Sequence, residues 1–102
     1  AIGGIGGTYA AMPELYLKAR ELFCAGELEK ARQVQNECCR IIYKMCTAHG
    51  NLYAVIKEIL RRTGGPDIGS VRAPLAPLAE GDGPIVDACA AMIREAIAQY
   101  CA

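Results

Sequence analysis

The sequence predicts a mainly helical chain led by one glycine-rich strand, the arrangement expected at the end of a larger α/β protein. Three observations carry this. The run Ala1-Ile2-Gly3-Gly4-Ile5-Gly6-Gly7-Thr8-Tyr9 is apolar and glycine-rich. Four later stretches repeat apolar residues every three or four positions, the spacing of one helix face. Everything after the first run reads as helix or as punctuation between helices, so no second strand is available to pair with it. A lone strand cannot satisfy its own backbone donors and acceptors. The chain is therefore expected to be a fragment whose strand pairs outside it.

The first helix is expected over about 13–25. Leu15, Ala19, Leu22 and Phe23 share one face, Pro13 suits the first turn, and Gly26 suits the C-terminal cap. The second and longest runs over about 27–48, with Leu28, Ala31, Val34, Cys38, Ile41, Ile42 and Met45 inward and Glu29, Lys30, Arg32, Glu37 and Arg40 outward. His49-Gly50-Asn51 ends it.

A third helix carries the stripe Leu52, Val55, Ile56, Ile59 and Leu60 and stops at Gly64-Gly65-Pro66. Arg61 and Arg62 stand at its C-terminal end, where positive charge suits the helix dipole. Between about 64 and 83, glycines and prolines break any period, yet Ile68, Val71, Leu75 and Leu78 call for burial. This segment is expected to cross extended against a surface. A last helix starts at Asp82-Gly83-Pro84 and runs to about Cys101, with Ile85, Ala88, Cys89, Met92, Ala96, Ile97 and Tyr100 inward and Asp82 as N-cap.

Length and composition bound the function. With 102 residues, 53% of them hydrophobic, the chain makes one domain or part of one, with a real core. Eleven basic and eleven acidic residues cancel, Trp is absent and Phe occurs once, so nucleic acid is not an expected partner. The apolar start has no positive n-region, and no apolar run reaches membrane-spanning length. A cytoplasmic protein with no membrane partner is expected. Six cysteines (Cys24, Cys38, Cys39, Cys46, Cys89, Cys101) fall on amphipathic helices, the placement of reduced, buried thiols rather than of a disulfide framework.

No complete catalytic constellation is visible. The glycine run lacks a following Gly-Lys-Ser/Thr, and Tyr9 stands where the dinucleotide fingerprint needs its last glycine. Two uses of the glycines remain open: to let a substrate approach the main chain, with Thr8 or Tyr9 reaching a pocket, or to relieve crowding against a neighbouring strand and helix. Cys38, Cys39, Cys46 and His49 carry metal-ligating atoms, but one continuous helix cannot gather them into a tetrahedron. His49 suits a helix-end cap instead. The four lysines, Lys18, Lys30, Lys44 and Lys57, lie on polar helix faces, whereas an amine that attacks a carbonyl is normally desolvated. Glu80 and Asp82 could form an acid/base pair, against which stands the N-cap role of Asp82. The sequence calls for no metal and no cofactor.

Five features occur in a familiar order: Gly3-Gly4-Ile5-Gly6-Gly7-Thr8-Tyr9, then Ala25-Gly26-Glu27-Leu28-Glu29-Lys30-Ala31, Gln35-Asn36-Glu37-Cys38, Leu52-Tyr53-x-x-Ile56-Lys57, and Val71-Arg72-Ala73-Pro74-Leu75. Together they resemble the C-terminal third of the N-acetylneuraminate lyase and dihydrodipicolinate synthase family, nearer the sialate lyase branch. The resemblance implies a (β/α)8 TIM barrel whose eighth strand is residues about 2–8. Residues 1–26 would be the last strand and helix of the barrel, and 27–102 a three-helix C-terminal extension.

The same resemblance implies a class I aldolase that forms a Schiff base between pyruvate and a lysine on an earlier strand, acts on a 2-keto sugar acid, and assembles as a homotetramer. It carries Gly6, Gly7 and Thr8 over as substrate-binding positions and no catalytic residue, so the 102-residue chain alone is expected to be inactive. Two departures bear on the sugar acid more than on pyruvate: Gly7 replaces a serine that contacts the substrate hydroxyls, and Ala10 replaces an asparagine. Arg72 and Pro74 match a family turn expected to tie the crossing segment down. Dihydrodipicolinate synthase or another keto-acid aldolase remains open within the family. Outside it stands a non-catalytic helical bundle serving as an assembly module, its first residues paired with another copy. On either reading Ile2 and Ile5 are expected to be covered by other protein.

Overall fold

The computed structural model describes residues 2–101, leaving Ala1 of the glycine run and Ala102 outside it. Four helices follow in order: α1 (Pro13–Cys24), α2 (Leu28–Met45), α3 (Leu52–Arg62) and α4 (Gly83–Tyr100), preceded by a 3-10 turn at Gly7–Ala10. Residues 2–6 have no regular structure, and the described residues contain no strand. A strand exists through its ladder, and nothing in the chain offers the glycine run an edge to pair with.

The helix ends follow the local chemistry. Pro13 occupies the first turn of α1. Gly26, at φ +79°, closes it: the Gly26 amide donates to Phe23 and the Glu27 amide to Leu22, the paired bonds of a left-handed glycine cap. Gly64, at φ +87°, repeats this for α3, with the Gly65 amide donating to Leu60. Asn51 caps the start of α3, its side chain accepting from the Tyr53 amide at 2.9 Å.

One core runs through all four helices. Met12, Leu15, Val34, Cys38, Ile41, Met45, Val55, Ile56, Ile59, Val86, Cys89, Ile93 and Ala96 form it. α1 packs chiefly on α2, and α4 lies across α1, α2 and α3. Side chains also join α3 to α4: the Arg62 guanidinium donates to Asp87 at 2.6 Å, to the Gly83 carbonyl at 3.2 Å and to Glu58 at 2.9 Å. The sequence expectation placed Arg61 and Arg62 at the helix dipole; their observed partners are carboxylates. Hydrogen bonds from Arg61 and Arg62 hold the Glu58 pKa down to about 2.

Four expectations about burial need correction. Phe23 and Leu28 are exposed at the α1–α2 connection. α4 is turned relative to the expected stripe, with Val86, Ala90 and Ile93 buried beside Cys89 and Ala96, while Ile85, Ala88, Met92, Ile97 and Tyr100 are half-buried. Its start is apolar on nearly every side, so hydropathy alone could not set the phase; packing on three helices at once does. Cys24 and Cys46 are exposed thiols, and only Cys38 and Cys89 are fully buried. In the crossing segment Leu78 packs on the core, but Ile68 and Leu75 are 52% and 40% exposed, because the segment lies on the outside of the bundle.

That segment is anchored at one end by a buried carboxylate. Asp82 is sealed from solvent just under the surface and accepts from the backbone amides of His49, Gly50 and Ala79, each at 2.9 Å. His49 Nδ1 lies 3.2 Å from the same carboxylate. Asp82 therefore does not cap α4 with its side chain, as the sequence suggested; it fastens the α2–α3 junction to the start of α4. Gly50 fits here because its backbone touches the crossing chain: a Cβ would come within 2.8 Å of Leu78 Cα and of the Pro77 carbonyl oxygen. The Asn51 amide donates to the Ala76 carbonyl at 2.9 Å, and Lys57 Nζ to the Ser70 carbonyl at 2.8 Å. Arg72, expected to tie the segment down, is exposed and makes no side-chain hydrogen bond or ion pair among the described residues. The peptide between Ala73 and Pro74 is cis.

Candidate functional site

Gly6, Gly7 and Thr8 sit where the irregular arm becomes the 3-10 turn. Gly6 is extended (φ −81°, ψ 138°) and its carbonyl accepts from the Tyr9 amide at 3.2 Å. The Thr8 carbonyl accepts from the Ala11 and Met12 amides, at 3.2 and 3.4 Å, which turns the chain toward α1. The two glycines are exposed and Thr8 is only 8% exposed.

Three tyrosines surround these residues. Tyr16, in the first turns of α1, places its hydroxyl 2.7 Å from Thr8 Oγ1. Its ring stacks on Tyr9, centroids 4.5 Å apart and planes tilted by 46°. Tyr9 in turn lies over Gly4 and Gly6, so that a Cβ on either would collide with the Tyr9 side chain. Tyr53, at the start of α3, closes on Gly7: a Cβ there would approach its ring to 2.6 Å. Burial raises the Tyr16 pKa above the ordinary phenol value, and the bond from Thr8 works the other way.

The glycines thus have a steric reason to be glycine inside this chain, the second of the two uses left open by the sequence. They also leave the main chain at Gly6 and Gly7 bare to solvent, which is what the first use requires. Sequence reading brought Gly6, Gly7 and Thr8 together and missed Tyr16 and Tyr53. A signal for Tyr16 existed: a polar-tipped aromatic stands between Leu15 and Leu17 at the start of the helix that follows the turn.

The remaining candidates scatter. Cys38 is buried, and desolvation pushes its thiol up to about 11, far from a thiolate nucleophile at neutral pH. Cys39 Sγ accepts from Gln35 Nε2 at 3.7 Å, Cys46 is exposed, and the His49 ring faces Asp82. No three His, Cys, Asp or Glu side chains among the described residues are grouped to hold a metal ion. Glu80 is exposed and apart from the Asp82 carboxylate, which the His49 and Ala79 amides hold well below the usual carboxylate range, leaving a poor base. Lys18 and Lys30 pair with Glu21 and Glu27, and Lys57 is bound to Ser70. An open groove of roughly 840 Å³ lies between the end of the 3-10 turn, the end of α3 and α4, floored by Ala90, Ile93 and Ile97; Gly6, Gly7 and Thr8 do not line it. No helix of the described residues is long and apolar enough to cross a membrane.

Comparison with known proteins places this arrangement. The chain is 55% identical over 96 residues to the N-acetylneuraminate lyase of Mediterraneibacter gnavus, a match that covers 94% of this chain and 30% of that protein. Two solved structures of Ruminococcus gnavus sialic acid aldolase, the wild type and a catalytic lysine mutant, superpose with a TM-score of 0.93 at 53% identity. They match 96% of this chain, and the chain covers 33% of the wild type and 32% of the mutant. It thus spans about a third of the length of these relatives. Residues 1–92 match the dihydrodipicolinate synthetase family along nearly the whole described fold, and the chain belongs to that family.

Proposed function

We propose that this chain is the C-terminal portion of a pyruvate-dependent class I aldolase of the N-acetylneuraminate lyase type, which cleaves a 2-keto sugar acid to pyruvate and an aldehyde. The observation that carries the reading is the joint match in sequence and backbone to relatives named as N-acetylneuraminate lyase and sialic acid aldolase, over 94% and 96% of the chain. Residues 1–26 act as the last strand and helix of the barrel and 27–102 as its helical extension. The arm at 2–6 becomes a strand when the barrel supplies the neighbouring edge, which also covers Ile2 and Ile5.

In such an enzyme a lysine amine attacks the keto carbon of the substrate and loses water to form the Schiff base, which then withdraws electrons as the carbon–carbon bond breaks. None of this chain's four lysines suits that task, since all stand on helix faces outside any enclosed pocket. One of the solved relatives is a catalytic lysine mutant, and we place the lysine equivalent to the mutated one outside these 102 residues. Gly6 and Gly7 present bare main chain to the substrate and Thr8 supports them. The intact enzyme is read as a cytoplasmic homotetramer.

The test is the intact mass of the full-length gene product after incubation with pyruvate and borohydride. One reduced pyruvate adduct per subunit is expected, and the 102-residue chain treated in the same way stays unmodified. A full-length product without an adduct overturns the aldolase reading.

A further inference from the structure

We propose that Tyr16 is a positioning residue for the substrate-facing turn, fixing the Thr8 hydroxyl and the Gly6–Gly7 backbone from the helix behind them. This rests on the reading of Gly6, Gly7 and Thr8 as substrate-facing. Tyr16 is the one side chain that reaches both parts of the turn. Its hydroxyl meets Thr8 Oγ1 at 2.7 Å, and its ring carries Tyr9, which lies over Gly4 and Gly6. The arm before the turn has no regular structure of its own. Glycine backbone is the most permissive available, so an external support is what limits it.

The hydroxyl pair also has a direction to set. A threonine hydroxyl has one donor and two acceptor sites. When Tyr16 donates to Thr8 Oγ1, the Thr8 proton is released to point at an acceptor on the open side of the turn, such as a carboxylate or hydroxyl oxygen of the sugar acid. When the bond runs the other way, the Thr8 proton is spent on Tyr16. Burial keeps the Tyr16 phenol protonated, so it remains able to donate throughout the neutral range.

The experiment compares wild type, Tyr16→Phe, Thr8→Val and the double variant in the full-length gene product. The readouts are kcat and KM for N-acetylneuraminate cleavage, active subunits counted by borohydride-trapped pyruvate, and thermal melting. Tyr16→Phe keeps the ring stack and removes one hydroxyl. It should raise KM about threefold to tenfold, the reach of one hydrogen bond, with trapped pyruvate per subunit unchanged. Thr8→Val should do the same, and the double variant should be no worse than the poorer single. An unchanged KM in Tyr16→Phe, a loss confined to melting temperature or trapped fraction, or singles whose effects multiply would each overturn the proposal. A wild type that traps pyruvate but leaves this sugar acid uncleaved overturns the role assigned to the turn and leaves the Schiff-base reading standing. A wild type that traps nothing removes both.

Discussion

The arm at residues 2–6 and the crossing segment at 64–82 are both irregular and rich in glycine or proline, yet the chain treats them differently. The crossing segment is bound at several points, through Ser70 to Lys57, Ala76 to Asn51, and Ala79 to Asp82, and it delivers Leu78 to the core. The arm touches the rest through the Tyr9 ring, and Ile2 and Ile5 are fully exposed. One segment has its backbone satisfied within 102 residues; the other leaves its apolar residues for something else to cover. The radius of gyration, 14.2 Å, agrees with an incompletely closed body, since a compact chain of this length would give about 13 Å.

Breaking the Asp82 anchor should have the largest effect. Asp82→Ala strands the His49, Gly50 and Ala79 amides together. The 102-residue chain should lose well over the roughly 4–8 °C in Tm that 1 kcal/mol is worth in a small domain. Asp82→Asn sharpens the point through pH. The folded-state pKa of Asp82 lies below the ordinary aspartate value of 3.8, so its contribution is fully present above that value and disappears as pH falls through the folded pKa. Urea midpoints of wild type and Asp82→Asn should therefore differ at pH 7 and converge as the solution is acidified below about pH 4. A constant gap would show that the charge is not what anchors the loop.

A smaller loss is expected from Gly50→Ala at the same junction. The new methyl would press on Leu78 Cα and the Pro77 carbonyl at 2.8 Å, and both are backbone, so the crossing chain must shift. Overpacking of this kind costs about 1–3 kcal/mol, readable as a lower urea midpoint. An unchanged midpoint would mean that the crossing chain is held less tightly than its hydrogen bonds suggest.

Much of this was legible in the sequence, and what was not shares a physical cause. Helix number and ends could be read because they depend on neighbours in the chain: Pro13, Gly26, Asn51 and Gly64 act within one turn of where they stand. The family could be read from the order of short motifs. The role of Asp82 could not, because its amide partners at His49 and Gly50 lie 33 and 32 residues away, and a local cap was the nearer explanation. Nor could the phase of α4, which packing decides, or the support of Thr8 by Tyr16, which lies two helical turns beyond it. Exposure of Ile68 and Leu75 ran against hydropathy for a different reason, since burial was inferred from composition without the surface that provides it.

The smallest expected effect tests the other side of the comparison. Ile5→Ser in the 102-residue chain removes a side chain that touches nothing, as its 105% relative exposure states, so the melting temperature should move by no more than about 0.5 kcal/mol would allow. In the full-length gene product the same change should be costly, because a strand residue between a barrel sheet and its helices is buried. Loss of an aliphatic side chain there is worth about 2–5 kcal/mol. Melting both proteins with and without the substitution gives a difference of differences that belongs to the arm alone. If Ile5→Ser is silent in both, the arm is not a strand of the parent barrel; if it is costly only in the longer protein, the arm is a strand that lacks only its neighbours.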